Sequence, residues 1–208
     1  MRNKSDNQRR AYWLKTLHRW HWISSALCLV AMVLFSVTGF TLNHAGDIEA
    51  KPAVTRASAR LPADLLGRMG GHADKAQAPL PAAVEAWLAQ ALGVRVGARA
   101  AEWSDDEAYV ALPRPGGDAW LSIDLASGEV QYESTDRGWI SYFNDLHKGR
   151  NTGPLWRWFI DLFAVACLVF SVTGLFLLQL HARQRAATWP LVAFGLAFPL
   201  LIVILFIH

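Results

Sequence analysis

Cysteine is nearly absent: the 208 residues hold two, Cys28 and Cys167. Both fall inside apolar runs, which argues against a disulfide framework or a zinc site and for small apolar packing. The long polar segment between those runs has no cysteine, so oxidation does not staple it. Charge is also scarce, at 18% Asp, Glu, Lys and Arg against 53% hydrophobic residues. Such a chain is too apolar for a simple soluble domain and too polar to be membrane throughout. Catalytic signatures are missing as well: there is no P-loop, dinucleotide fingerprint, HExxH or nucleophile constellation.

What is present is concentrated apolar sequence. One run spans 20–43 and carries His21 near its start. A second, 155–180, has Arg157 and Asp161 near its start, an i, i+4 pair suited to a salt bridge. The third, 190–207, is uncharged. About 20 helical residues span a hydrocarbon core of about 30 Å. The first two runs meet that length comfortably, and the third does so if its ends sit close to the interfaces. The first run exceeds a signal-peptide apolar core and lacks a clean cleavage site, so it reads as an uncleaved helix. Pro199 would kink the third, which membrane helices tolerate.

The flanks assign an orientation. Residues 1–19 carry Arg2, Lys4, Arg9, Arg10, Lys15 and Arg19 against Asp6 alone, and the 181–189 turn carries Arg183 and Arg185 with no acid. Residues 45–154 have 11 Lys and Arg against 15 Asp and Glu. The positive-inside rule then makes 1–19 and 181–189 cytoplasmic and 44–154 periplasmic. The net charge of +3 argues orientation in a membrane, not nucleic-acid binding.

Within 44–154, residues 46–78 show little periodicity beyond a short helical piece at 61–70. A helix is expected from Pro81 through Val84, Trp87, Leu88 and Leu92, ended by Gly93. Strands are expected at 94–100, 108–112, 119–124 and 129–133, divided by proline and glycine. The alternation of Trp120, Ser122 and Asp124 with Leu121, Ile123 and Leu125 predicts a half-buried antiparallel sheet with a helix packed on it. Asp105, Asp106 and Glu107 form an acidic turn, while Trp103, Tyr109, Trp120 and Tyr132 are either core or docking aromatics.

The strongest signal is internal. Leu17-His18-Arg19 precedes Phe35-Ser-Val-Thr-Gly39, and Leu146-His147-Lys148 precedes Phe170-Ser-Val-Thr-Gly174. Ser, Thr and Gly in an apolar helix admit a close partner, either another helix or a planar cofactor. Five of seven histidines, His18, His21, His44, His147 and His181, stand at or near the expected helix ends. Interfacial placement beside Trp13, Trp20, Trp22, Trp156 and Trp158 is one reading of them. Axial ligation of haem iron is the other. No CxxCH occurs, which excludes covalent c-type haem and leaves haem b, one or two per chain or shared in an oligomer. His21 and His44 are 23 residues apart, about 34 Å along a helix, too far to serve one haem within a chain. Trans-helix pairs are geometrically sounder: His21 or His18 with His181 inside, and His44 with His147 outside. Arg19, Lys148, Arg150 and Arg157 stand where they could reach haem propionates. His72 reads as a surface residue, and His208 carries no argument.

These pieces resemble the PepSY-associated transmembrane helix family, in particular short relatives of PepSY-domain ferric-siderophore reductases. The matching segments are Leu17-His18-Arg19-Trp20 leading to Thr38-Gly39, Leu146-His147-Lys148-Gly149 leading to Thr173-Gly174-Leu175, and the strand pair ending at 120–130. The implied fold is a mainly α-helical integral membrane protein with three transmembrane helices and a small α+β PepSY-like external domain. The resemblance implies inner-membrane haem, held by His21, His44, His147 and His181 with His18 as rival to His21. Electrons from a cytoplasmic or quinol donor would reduce a ferric siderophore complex in the periplasm. Larger relatives have at least four membrane helices where this chain offers three, which points to a homodimer, fewer haems or a retained scaffold. The competing class is a non-enzymatic, membrane-anchored PepSY-like binding or accessory module of an envelope uptake system.

Overall fold

A computed structural model describes residues 4–48, 51–70, 77–182 and 185–207, so His72, Arg183 and His208 lie outside the described residues. The chain divides into two compact units, 1–34 with 158–208, and 35–157. Two helices, α1 (Lys4–Asn43) and α5 (Gly153–His181), contribute residues to both units.

The first unit is helical. With α6 (Thr188–Phe206), α1 and α5 are, among the described residues, the three helices long and apolar enough to cross a membrane. A helix satisfies its own backbone in a medium without water, which is why apolar runs of this length take this form. The 40 residues of α1 reach about 60 Å at 1.5 Å per residue, so it begins well before the apolar run itself. Its buried face is built of small residues, Ser24, Cys28 and Ala31. That spacing of four and three lets a neighbouring backbone approach closely. Cys28 is fully buried and Cys167 lies in contact with it; both are free thiols. α6 buries none of its residues and is apolar all round, with Pro199 inside it.

In the second unit, β1 (Ala53–Arg60), α2 (Ala63–Leu66), β2 (Gln77–Pro79) and α3 (Ala82–Ala91) precede β3 (Ala100–Trp103), β4 (Glu107–Ala111), β5 (Gly117–Asp124) and β6 (Glu129–Asp136). The six strands form one antiparallel sheet in the order β1-β6-β5-β4-β3-β2. Leu121 and Ile123 of β5 are fully buried, as are Val110 and Val130 on the neighbouring strands and Val84 and Leu88 of α3. The opposite face of β5 carries Trp120, Ser122 and Asp124, so the period-two pattern is realised as read. Trp103 and Tyr132 belong to the core, with the Trp103 indole N–H donating to the Ala78 carbonyl at 2.9 Å. Tyr109 and Trp120 stack at 6.3 Å on the other face.

Several expectations are corrected. Residues 94–99 form no strand: Val94 and Val96 are buried, but Gly93 and Gly97 both take positive φ and turn the backbone away from a ladder. β1 was not legible, because this exposed edge strand is held by pairing all eight residues with β6 and buries little. Leu146-His147-Lys148 ends a separate helix, α4 (Gly138–Lys148), rather than leading directly into α5. Gly149, with φ of 65°, caps it. No ion pair joins Arg157 to Asp161 among the described residues.

Replacing fully buried Leu121 with Ala is expected to destabilise this unit by about 2–5 kcal/mol, read by thermal or denaturant unfolding. At the β5–β6 turn, Asp124 accepts from the Ser127 N–H at 2.6 Å, the Ser127 hydroxyl at 2.8 Å and the Ala126 N–H at 3.1 Å. The Ser127 backbone bond, then its hydroxyl, hold the Asp124 carboxyl below its ordinary value of 3.8. Because the folded value is depressed, this contribution is present above pH 3.8 and fades as pH falls through the folded value. Amide-exchange protection at Ser127 should therefore decline below that pH, and in Asp124→Ala it should be low at every pH.

Candidate functional site

Each FSVTG segment receives a histidine from elsewhere in the chain. In the first unit His21 lies over Phe170, rings stacked with centroids 4.6 Å apart. Its Nδ1 is 3.1 Å from Thr173 Oγ1 and 3.2 Å from the Phe170 carbonyl. A Cβ on Gly174 would stand 3.3 Å from His21 Cε1, so the missing side chain is the space the ring uses. In the second unit His147 Nδ1 is 2.7 Å from Thr38 Oγ1, and its ring lies 4.9 Å from that of Phe35. Here a Cβ on Gly39 would be 3.5 Å from His147 Cε1.

Phe, Thr and Gly stand at i, i+3 and i+4, which places them together on one helical face. Both threonine hydroxyls donate back to their own helix, Thr173 to the Val169 carbonyl at 2.6 Å and Thr38 to the Phe35 carbonyl at 3.3 Å. At His21 the Phe170 carbonyl can only accept, which assigns the imidazole proton to Nδ1 and the lone pair to Nε2; at His147 the Thr38 hydroxyl can pair with Nδ1 as donor or as acceptor. The partner admitted by the small residues of this motif is an imidazole.

The remaining histidines use their own helices. His18 Nδ1 donates to the Leu14 carbonyl at 2.9 Å and His181 Nδ1 to the Leu177 carbonyl at 2.8 Å. Their rings face each other edge-on, with centroids 6.4 Å apart and planes at 89°. Of the two rivals on α1, His18 is thus the one brought to His181. His44 Nδ1 donates to the Phe40 carbonyl at 3.0 Å, its ring lying against Phe40. No ring contact joins His44 to His147 among the described residues. Nor do the described residues contain a group of three or more His, Cys, Asp or Glu able to hold a bare metal ion. Arg19 and Lys148 are exposed and form no ion pair among the described residues.

Two open grooves flank the His18–His181 region in the first unit. One, of about 580 Å³, is lined by Arg10, Trp13, Leu17 and Gln179; the other, of about 710 Å³, by His21, Gly174, His181, Arg185 and Thr188.

Sequence reasoning missed the residues that position His147. α4 places Asn144, Asp145, Leu146 and His147 in succession. Thr41 donates to Asn144 Oδ1 at 2.8 Å, and the Gly116 N–H donates to Asp145 Oδ2 at 2.9 Å. The Trp156 indole donates to the Leu146 carbonyl at 2.9 Å. Asn144 and Asp145 are both buried, an unusual state for such side chains and tolerated because each is paired.

These features define a membrane protein with three apolar helices, a six-stranded antiparallel α+β domain and histidines held by repeated Phe-x-x-Thr-Gly segments. The family model described as "Putative PepSY_TM-like" matches residues 12–208, and the chain belongs to that PepSY-associated membrane family. No curated protein and no solved structure matches it.

The two sockets differ in tightness, which gives a test. Gly174→Ala should displace the His21 ring, whereas Gly39→Ala should leave His147 nearly in place, as read from histidine ring resonances of labelled, detergent-solubilised protein. Thr38→Val should cost about 1–3 kcal/mol by leaving an imidazole nitrogen without its partner, and Thr38→Ser much less. Thermal unfolding measures both.

Proposed function

We propose that the protein carries electrons across the bacterial inner membrane through non-covalently bound haem b. On this reading the protein reduces ferric iron in siderophore complexes on the periplasmic side, drawing on a cytoplasmic or quinol donor. The observation that carries the reading is the facing pair His18 and His181. A separation of 6.4 Å between ring centroids suits two imidazoles sharing one metal ion, whose metal–nitrogen bonds are each about 2.1 Å. Each ring also donates its Nδ1–H to a backbone carbonyl, the outer hydrogen bond that fixes the tautomer of a ligating histidine. The donor set therefore fits the group, and His18 and His181 would hold it. When bound, haem supplies a one-electron couple that the amino acids lack.

The chain's own residues do the rest. Leu14 and Leu177 carbonyls aim the two Nε2 atoms, and Arg10 and Arg185, in the flanking grooves, offer cations to propionate groups. Arg19 remains a further propionate partner at this end. His21, one turn along from His18, is held away by Thr173 and orders the wall of the larger groove. An outer centre is assigned to His147, whose Nε2 is likewise uncommitted, with Lys148 beside it. The opposing ligand would come from His44 or from a second copy in a homodimer.

A second reading, a non-enzymatic anchored module that binds an envelope partner or serves an uptake system, is favoured by one observation. Tyr109 and Trp120 stack on the sheet face opposite the core, near a groove of about 380 Å³ lined by Arg56, Ser58, Gln131 and Glu133.

An absorption spectrum of protein purified after expression with ample haem separates the two. The redox reading expects a Soret band and dithionite-reducible α and β bands; colourless protein would sink it. His18→Ala and His181→Ala should each remove the same centre, and His147→Ala a different one. Loss of one common centre from all three variants would defeat the two-centre assignment.

A further inference from the structure

We infer that α4 is an interfacial helix, with Trp139, Ile140 and Phe143 seated among the headgroups and upper acyl chains of the bilayer. The inference is independent of any bound cofactor. α4 is amphipathic in an unusual way: its buried members are polar, Asn144 and Asp145, while its aromatic side is open. Trp139 is 75% exposed, Ile140 44% and Phe143 39%. Trp139 and Phe143 are one helical turn apart, and with Tyr142 their rings form a contiguous cluster with centroids 5.7–6.3 Å apart. A contiguous aromatic surface of this kind is costly in water and signals a partner.

The partner is identified by what fixes the helix. α4 is tied to the end of α1 through Thr41 and Thr38, and to the first turn of α5 through Trp156. Both helices are membrane-spanning in length and hydropathy. The C-terminal half of α4 is therefore tied to residues within about a turn or two of the ends of two apolar runs. Lys148 and Arg150, both exposed at the C-terminal end of α4, supply cations, as lipid phosphates require. On its polar side, Asp145 bonds α4 to the Gly116 turn. A Cβ on Gly116, where φ is +71°, would come within 2.8 Å of Tyr142 Cα, so sheet and helix touch at backbone distance. The membrane surface completes the apolar side that the sheet leaves open.

The test uses the full chain reconstituted in phosphatidylcholine–phosphatidylglycerol vesicles. The contribution of Trp139 is the difference in fluorescence between the native protein and Trp139→Phe, a change that keeps an aromatic ring at the site. That contribution should lose most of its intensity in lipid brominated near the glycerol end of its chains, and less when bromine lies near the methyl end. Aqueous iodide should quench it weakly. Strong iodide quenching with no effect of brominated lipid would overturn the inference in favour of a water-facing helix. Quenching by neither agent would overturn it in favour of a second copy or another protein covering the face.

Discussion

An imidazole N–H packed against an apolar helix needs an acceptor, because water is scarce there and an unpaired polar group costs free energy. Thr173 provides it for His21 and Thr38 pairs with His147, and much else in the helices is arranged so that they can. The Thr173 hydroxyl donates to the Val169 carbonyl at 2.6 Å, which turns its oxygen toward the His21 ring. Glycine one residue later leaves room for the ring edge, and phenylalanine three residues earlier supplies a face to lie on. Any one of these residues would be ordinary in a membrane helix. Their joint occurrence twice, each time with a histidine seated, makes the pentapeptide a receptor for imidazole rather than a general helix-packing device.

The second socket depends on a helix that is not itself apolar throughout. Four consecutive residues of α4 bond to four places: Asn144 to Thr41, Asp145 to the β4–β5 turn, Leu146 to Trp156 and His147 to Thr38. Consecutive helical residues point about 100° apart, so such a run can address neighbours all round the helix. Asp145 also lies 4.0 Å from Arg137, which grips Asp118 at 2.6 Å. Arg137 thereby stands between β5 and the helix that carries His147.

Much of this was legible in the sequence, for identifiable reasons. The apolar runs and the core face of β5 were readable because burial writes a period into composition: Leu121 and Ile123 alternate with Trp120 and Ser122. β1 and α4 were not, because neither is held by an apolar stripe in the core. β1 is an edge strand stabilised by its ladder with β6, and α4 is held by polar groups whose partners are 29 to 109 residues away in sequence. The histidines were visible as a set, and spacing left two partners open for His181, of which His18 meets it. Spacing alone left His18 and His21 equivalent; a single long-range contact, His21 to Thr173, separates them. Val94 and Val96 show the converse failure, a correct burial pattern on a backbone that two positive-φ glycines keep out of the sheet.

The use made of the imidazoles bears on why they are there. If the sockets existed only to join elements, a phenylalanine or leucine would fill the same space without the desolvation of two ring nitrogens. Instead His18, His21, His44, His147 and His181 all direct Nδ1 to a protein oxygen, whether a threonine hydroxyl or a helix carbonyl. That leaves the same atom, Nε2, available five times over, and at His18 and His181 it leaves two of them on rings that face each other. An Nδ1–H bonded to the carbonyl one turn back satisfies the ring within its own helix, and under the proposed ligation the same bond would serve as the outer hydrogen bond that holds the ring.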